Sequence, residues 1–114
     1  MAKSKSDNLQ GTLALLVLKS LELGPMHGWG ITLHIQQVSN EVLRVEEGSL
    51  YPALHRMEQE RWIKSEWGVS ENNRRARFYQ LTPLGRRQLN AERENWRKVT
   101  SAVALVLDFE PAQA

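Results

Sequence analysis

The segment Glu47-Gly48-Ser49-Leu50-Tyr51-Pro52-Ala53-Leu54-His55-Arg56-Met57 constrains the fold of this chain more than any other, because its two faces are chemically opposed. At helical spacing Leu50, Ala53, Leu54 and Met57 share one side and can be buried, which turns Ser49, Pro52, His55, Arg56 and Gln59 outward. Hydroxyl, imidazole and guanidinium groups on such a face can hydrogen-bond base edges and phosphates. An amphipathic helix with an ordinary solvated face satisfies the same pattern, so the elements on either side must decide.

Two helical stretches precede this segment and an alternating, basic hairpin follows it. The first helix is expected to start at an N-cap on Asp7 or Asn8 and to run to about Leu23, where Gly24-Pro25 stops it. Its apolar residues nearly encircle it, from Leu9 and Leu13 to Leu18 and Leu21, which places it between other elements. The second helix is expected from His27 or Gly28 to Asn40, with Ile31, Ile35 and Val38 on one face. Gly28 and Gly30 weaken its start, which suggests close approach by a neighbour, either the first helix or a phosphate. Leu43 to Val45 has the composition of a minimal strand, and Pro52 is expected near the first turn of the third helix. Trp62 to Val69 alternates as a strand with Ile63, Trp67 and Val69 on one side, Ser70-Glu71-Asn72-Asn73 is turn chemistry, and Arg75 to Leu81 returns. Adjacent Phe78 and Tyr79 leave the facing of that second strand open. Three helices and a basic hairpin make a winged helix-turn-helix: mainly α, with a small β-hairpin.

Thr82 followed by Pro83 reads as an N-cap and first helical position, and the pattern continues to about Leu107. Leu89, Trp96, Val99, Val103 and Val106 recur at coiled-coil-like spacing along it. So small a domain cannot cover so long a seam, which predicts a homodimer interface, with folding back onto the first helix as the other outcome. The organisation expected is a DNA-binding unit over residues 1–82, a dimerisation helix over 83–108 and a tail over 109–114.

Net charge is only +2 over 114 residues, so the distribution of charge carries the argument for nucleic acid. Residues 41 to 60 are acidic on balance, with Arg44 and Arg56 against Glu41, Glu46, Glu47, Glu58 and Glu60. The positive field comes from Arg74, Arg75 and Arg77 in the hairpin and from Arg86, Arg87, Arg93, Arg97 and Lys98 beyond it. Cysteine is absent, which excludes disulfides and thiolate metal sites and fits a cytoplasmic protein. The apolar run from Leu13 to Leu18 is too short for a membrane span or a signal peptide. His27, His34 and His55 make no metal-ligand spacing, and neither a Ser/His/Asp set nor a phosphate-cradling glycine loop is present. No enzymatic activity, metal or cofactor is therefore expected.

Four motifs in order resemble the PadR family of transcriptional regulators: Gln10-Gly11-Thr12-Leu13, Gly24-Pro25-Met26-His27-Gly28-Trp29-Gly30-Ile31, Gly48-Ser49-Leu50-Tyr51-Pro52-Ala53-Leu54, and Tyr79-Gln80-Leu81-Thr82-Pro83-Leu84-Gly85. The resemblance, to the smaller subgroup with a single C-terminal helix, implies a homodimeric, usually repressing regulator of double-stranded DNA; release by an effector is expected with it, and the two-fold symmetry of such a dimer predicts an inverted-repeat operator. With the polar face and the basic hairpin, it assigns Ser49, Tyr51, His55 and Arg56 to the major groove and its phosphates, and Asn73, Arg74, Arg75 and Arg77 to the backbone or minor groove. In some drug-responsive relatives aromatic rings on the C-terminal helices stack a flat ligand. Trp96 is open to that role, with a planar aromatic effector, beside plain interface packing. The chain departs from the family pattern at Arg61, where a glycine usually closes the third helix, at Glu46, where a small capping residue is common, and at Trp29, in place of tyrosine. A winged-helix module that binds another protein is the alternative reading.

Overall fold

A computed structural model of the chain describes the backbone of residues 5–112 and the side chains of residues 12–112. In order, the elements are α1 (Lys5–Leu21), β1 (Met26–His27), α2 (Gly28–Val38), α3 (Glu47–Gln59), β2 (Ile63–Val69), β3 (Arg75–Leu81) and α4 (Pro83–Leu107). The winged helix-turn-helix and the long last helix are both present. α1 begins before Asp7 and Asn8, so neither residue is its N-cap; their side chains, and that of Leu9, lie outside the described residues.

α1 is the centre of the core and touches α2, α3, α4 and β3, as its all-round apolar surface requires. Val17, Leu18 and Leu21 meet Ile31 and Ile35 of α2, Leu50, Leu54 and Met57 of α3, and Ile63, Tyr79 and Leu89 from the rest of the chain in one buried cluster. Tyr79, not Phe78, is the strand residue that turns inward. Its phenol pKa is raised by burial, and the nearby Glu58 carboxylate adds to the shift.

One expectation for the sheet is corrected and one strand is added to it. Residues 43–45 form no strand; the amide of Leu43 instead donates to the Ser39 hydroxyl at 2.9 Å. A strand that periodicity could not reveal, the two-residue β1, pairs with β3 at Met26↔Tyr79 and His27↔Phe78. The sheet is antiparallel in the order β1-β3-β2, so the edge of β3 opposite β2 is taken at Phe78 and Tyr79 by β1 and not by residues 43–45. His27 serves twice here, since its Nδ1 also accepts from the Gly30 amide at 3.0 Å and caps α2.

α3 and α4 are joined by a tight knot of hydrogen bonds. α3 ends in a Schellman motif: the Trp62 amide donates to the Met57 carbonyl at 3.0 Å and the Arg61 amide to the Glu58 carbonyl at 2.9 Å. Arg61 itself takes the left-handed conformation, φ 63°, that a glycine usually supplies. The Thr82 hydroxyl then donates to the carbonyls of Arg61 (2.7 Å) and Trp62 (2.9 Å) and accepts from the Gly85 amide (3.0 Å) as the N-cap of α4. Gly85 is required by this arrangement, because a Cβ there would lie 1.9 Å from the Trp62 carbonyl oxygen.

The expected seam on α4 divides in two. Leu89 is fully buried inside its own chain, against α1, and so is removed from the set of interface residues. Beyond it α4 leaves the core. Trp96 is 43% exposed, Val103 49% and Val106 76%, and Leu105, Leu107 and Phe109 are exposed as well. The projecting helix draws the chain out to 68 × 33 × 23 Å. Among the described residues no helix is long and apolar enough to cross a membrane.

Candidate nucleic-acid interface

α3 buries the four residues expected of it, Leu50, Ala53, Leu54 and Met57, and exposes Ser49, Tyr51, Pro52, His55, Arg56 and Gln59. The helix starts at Glu47 with no side-chain cap from Glu46. Pro52 is therefore the sixth helical residue, not a first-turn residue, and removes the bond its N–H would make to the Gly48 carbonyl. The buried stripe holds the helix in place despite that loss.

Turning about 100° per residue, α3 presents Tyr51 and Arg56 on different flanks, about 140° apart, with His55 on the crest between them. The Tyr51 flank faces the start of α2 and the hairpin. Its hydroxyl lies against Gly28, where a Cβ would come within 2.5 Å, so the close approach anticipated at this glycine is made by α3 and not by α1. The Arg56 flank borders a smaller cavity beside Ala14, Met57, Glu60 and Trp62, away from the hairpin.

Between α2, α3 and the β2–β3 wing runs an open groove of about 620 Å³, with Trp29, Leu33 and Tyr51 on one wall and Trp67, Arg75 and Arg77 on the other. Register explains the wing wall. Trp67 pairs with Arg77 and Val69 with Arg75, so these four side chains share the strand face that also carries buried Tyr79. The face is buried at Ile63 and Tyr79 and becomes exposed toward the tip as the ribbon leaves the core. The Arg75 guanidinium stacks over the Trp67 ring, 4.4 Å from its centroid, and that of Arg77 lies at 5.8 Å. The tip closes with Asn73 at φ 58° and the Ser70 amide donating to the Arg74 carbonyl at 2.8 Å.

Of the residues named from sequence, Tyr51, Arg74, Arg75 and Arg77 thus line one groove, Ser49, His55 and Arg56 lie on the crest and far flank of α3, and Asn73 sits at the wing tip. Among the described residues, Arg56, Arg74 and Arg75 have no acidic side chain within 4 Å, whereas Arg77 is 3.6 Å from Glu58. Sequence reading missed Trp29, Leu33 and Trp67 as groove residues. The signal for Trp67 was its position opposite the arginines once the hairpin register is drawn; Trp29 had none short of the fold.

The family of transcriptional regulators described as PadR-like matches residues 17–91 of this chain. A transcriptional regulator from Mycobacterium tuberculosis is 40% identical over 68 residues, which cover 60% of each protein. Among solved structures, a transcriptional regulator from Clostridium thermocellum superposes with a TM-score of 0.77 at 28% identity, covering 86% of this chain and 95% of the other. A PadR-like transcriptional regulator from Bacillus cereus superposes with a TM-score of 0.74 at 26% identity, covering 91% and 99%. The winged helix, the groove beside α3 and the sequence match over both lead to one assignment: the chain belongs to the PadR-like family of transcriptional regulators.

Proposed function

We propose that this regulator is a homodimer that binds a specific double-stranded DNA operator and represses from it until an effector releases it. The observation that carries the reading is that Tyr51, on one exposed flank of α3, lines a single groove with the wing residues Arg74, Arg75 and Arg77. With α3 in a major groove and the wing in the neighbouring minor groove, the sugar-phosphate strand between them runs along that groove. Ser49, Tyr51, His55 and Arg56 then meet base edges and flanking phosphates, while Asn73, Arg74 and Arg75 meet backbone or minor groove. A protein seated there excludes others from the duplex, which is repression in its simplest form.

The dimer reading rests on the far half of α4. Trp96, Val99, Val103 and Val106 lie on one side of a helix that has left its own core, and each large apolar side chain covered by a partner contributes up to about 1.5–3 kcal/mol. A two-fold protein reads an inverted repeat, with half-sites about 34–36 Å apart or a multiple of that distance. Trp96 stands in the seam, and a planar aromatic compound held there acts as inducer when it favours a spacing of the two α3 helices that does not fit DNA. A Trp96→Leu variant should then bind operator and ignore the inducer.

Selection from random duplex DNA, repeated at two salt concentrations, tests the proposal. Recovery of an inverted repeat supports it. Recovery of no sequence, with binding that does not weaken with salt, overturns it in favour of a protein-binding module.

A further inference from the structure

Glu58, Ser65 and Arg77 form a chain of contacts that ties the recognition helix to the wing. Glu58 is in the last turn of α3, seven residues after Tyr51 and on the same wing-facing flank. The Ser65 hydroxyl of β2 donates to Glu58 Oε2 at 2.7 Å, and the Ser65 Oγ in turn accepts from Arg77 Nε of β3 at 2.7 Å. Arg77 Nη2 completes the circuit 3.6 Å from Glu58 Oε2. One hydroxyl thus uses both its donor and its acceptor capacity, which gives the chain a fixed direction and geometry. The ion pair alone, half exposed, would be worth little; the two short hydrogen bonds through a partly buried serine are what fix it.

We infer that Glu58 is a positioning residue for DNA recognition: acting through Ser65, it fixes the angle of the wing against α3 and withholds the Arg77 charge from the phosphate backbone. This rests on the reading of the α3–wing groove as the seat of DNA. Arg77 lines that groove with Arg74 and Arg75, yet unlike them it is matched by a carboxylate. Its charge is matched within the protein by Glu58, which does not line the groove. The wing therefore engages phosphates with Arg74 and Arg75 and uses Arg77 as an internal strut. The arrangement favours discrimination over raw affinity, because a wing held at one angle reaches its phosphates only when α3 is in register with the bases.

The salt dependence of binding separates this from a purely structural role. Affinity is measured against salt for the duplex recovered by selection and for a scrambled duplex of equal length, with wild type, Arg77→Ala, Glu58→Gln and the double variant. Each phosphate contact contributes about 0.9 to the slope of log affinity on log salt. Arg77→Ala alone should leave the slope unchanged. Glu58→Gln, nearly isosteric and still an acceptor for Ser65, should steepen the slope by about 0.9 and narrow the gap between selected and scrambled duplex, and removing Arg77 from that background should restore the wild-type slope. Equal slope changes on removing Arg77 in both backgrounds, or a slope flattened by about 0.9 by Arg77→Ala alone, would overturn the inference. The Arg77→Ala arm decides even if Glu58→Gln lowers the melting temperature. Wild-type protein that binds neither duplex is a different result, and rejects the DNA reading itself.

Discussion

Arg61→Gly should stabilise this protein, although it removes a side chain and adds none. Arg61 closes α3 at φ 63°, where an L-residue brings its Cβ against the following carbonyl at a cost of roughly 1–2 kcal/mol. Glycine takes this conformation freely, but it loosens the unfolded chain by about 0.4–1 kcal/mol. The Arg61 side chain is exposed and the contacts that hold the cap come from backbone, with the Arg61 amide on Glu58, the Trp62 amide on Met57 and the Arg61 carbonyl accepting from Thr82. All three persist in the variant. The difference leaves about 0.5–1 kcal/mol in favour of glycine, which corresponds to a rise in melting temperature of about 2–4 °C for a chain of this size. Urea unfolding at a fixed subunit concentration measures it, with Arg61→Ala as the control that loses the same side-chain atoms and keeps the strained φ. A glycine variant no more stable than the alanine variant would show that the left-handed residue is not where the cap stores its strain.

Four further outcomes follow from the geometry. Gly85→Ala sets a Cβ 1.9 Å from the Trp62 carbonyl oxygen and should destabilise by about 3 kcal/mol in urea unfolding, despite alanine's better helix propensity; wild-type stability would mean that α4 starts elsewhere. The Lys19 ammonium, hydrogen-bonded to Glu22 and aided by Arg93 and Arg86 of α4, holds the Glu22 carboxyl below its ordinary value of 4.5, so its stabilisation is complete above that pH and is lost as pH falls through the lowered value; Glu22→Gln should flatten the acid limb of a pH–stability curve. Arg56→Ala should cost about 1–3 kcal/mol on the selected duplex and change its sequence preference, while Arg75→Ala should weaken all duplexes and flatten the salt slope by about one, as titrations read by fluorescence anisotropy will show. Val99→Asp with Val103→Asp places unpaired charge in the α4 seam and should give monomers or unfolding in sedimentation; a double variant that stays dimeric and operator-bound rules this interface out.

How much of this was legible in the sequence depended on whether the deciding interaction was local. The buried stripe of α3, the hairpin and the Thr82-Pro83 start of α4 follow from spacing and capping within a few residues, and the structure has them where that reading puts them. β1 did not, because a two-residue strand has no period and exists only by virtue of the edge that β3 offers it. Leu89 was misplaced for a related reason: periodicity joins it to Trp96 and Val99, and only the packing of α1 shows that the helix is covered there and bare beyond. Within the site, composition singled out the arginines but could not distinguish them. Register did so, by setting Arg77 beside Ser65 and Glu58 and leaving Arg75 on the Trp67 ring.

One peptide carbonyl links these regions mechanically. The Trp62 carbonyl accepts from the Thr82 amide at 3.1 Å and from the Thr82 hydroxyl at 2.9 Å, while Trp62's own amide closes α3 on Met57 at 3.0 Å. Gly85 packs against the same carbonyl, so α4 has no slack at its root. In the proposed dimer a rotation of α4 about the subunit seam would therefore turn the C-terminal end of α3 with it, and Glu58, in the last turn of α3, would carry the turn into the wing through Ser65. On the proposed function, recognition helix and wing would then move as one body against the DNA, and an effector that altered the pairing of the α4 helices in the proposed dimer would alter the spacing of two rigid readers. Loosening the root or cutting the strut separates these effects: a relaxed α4 root should weaken the response to effector, and loss of Glu58 should leave that response and degrade sequence discrimination.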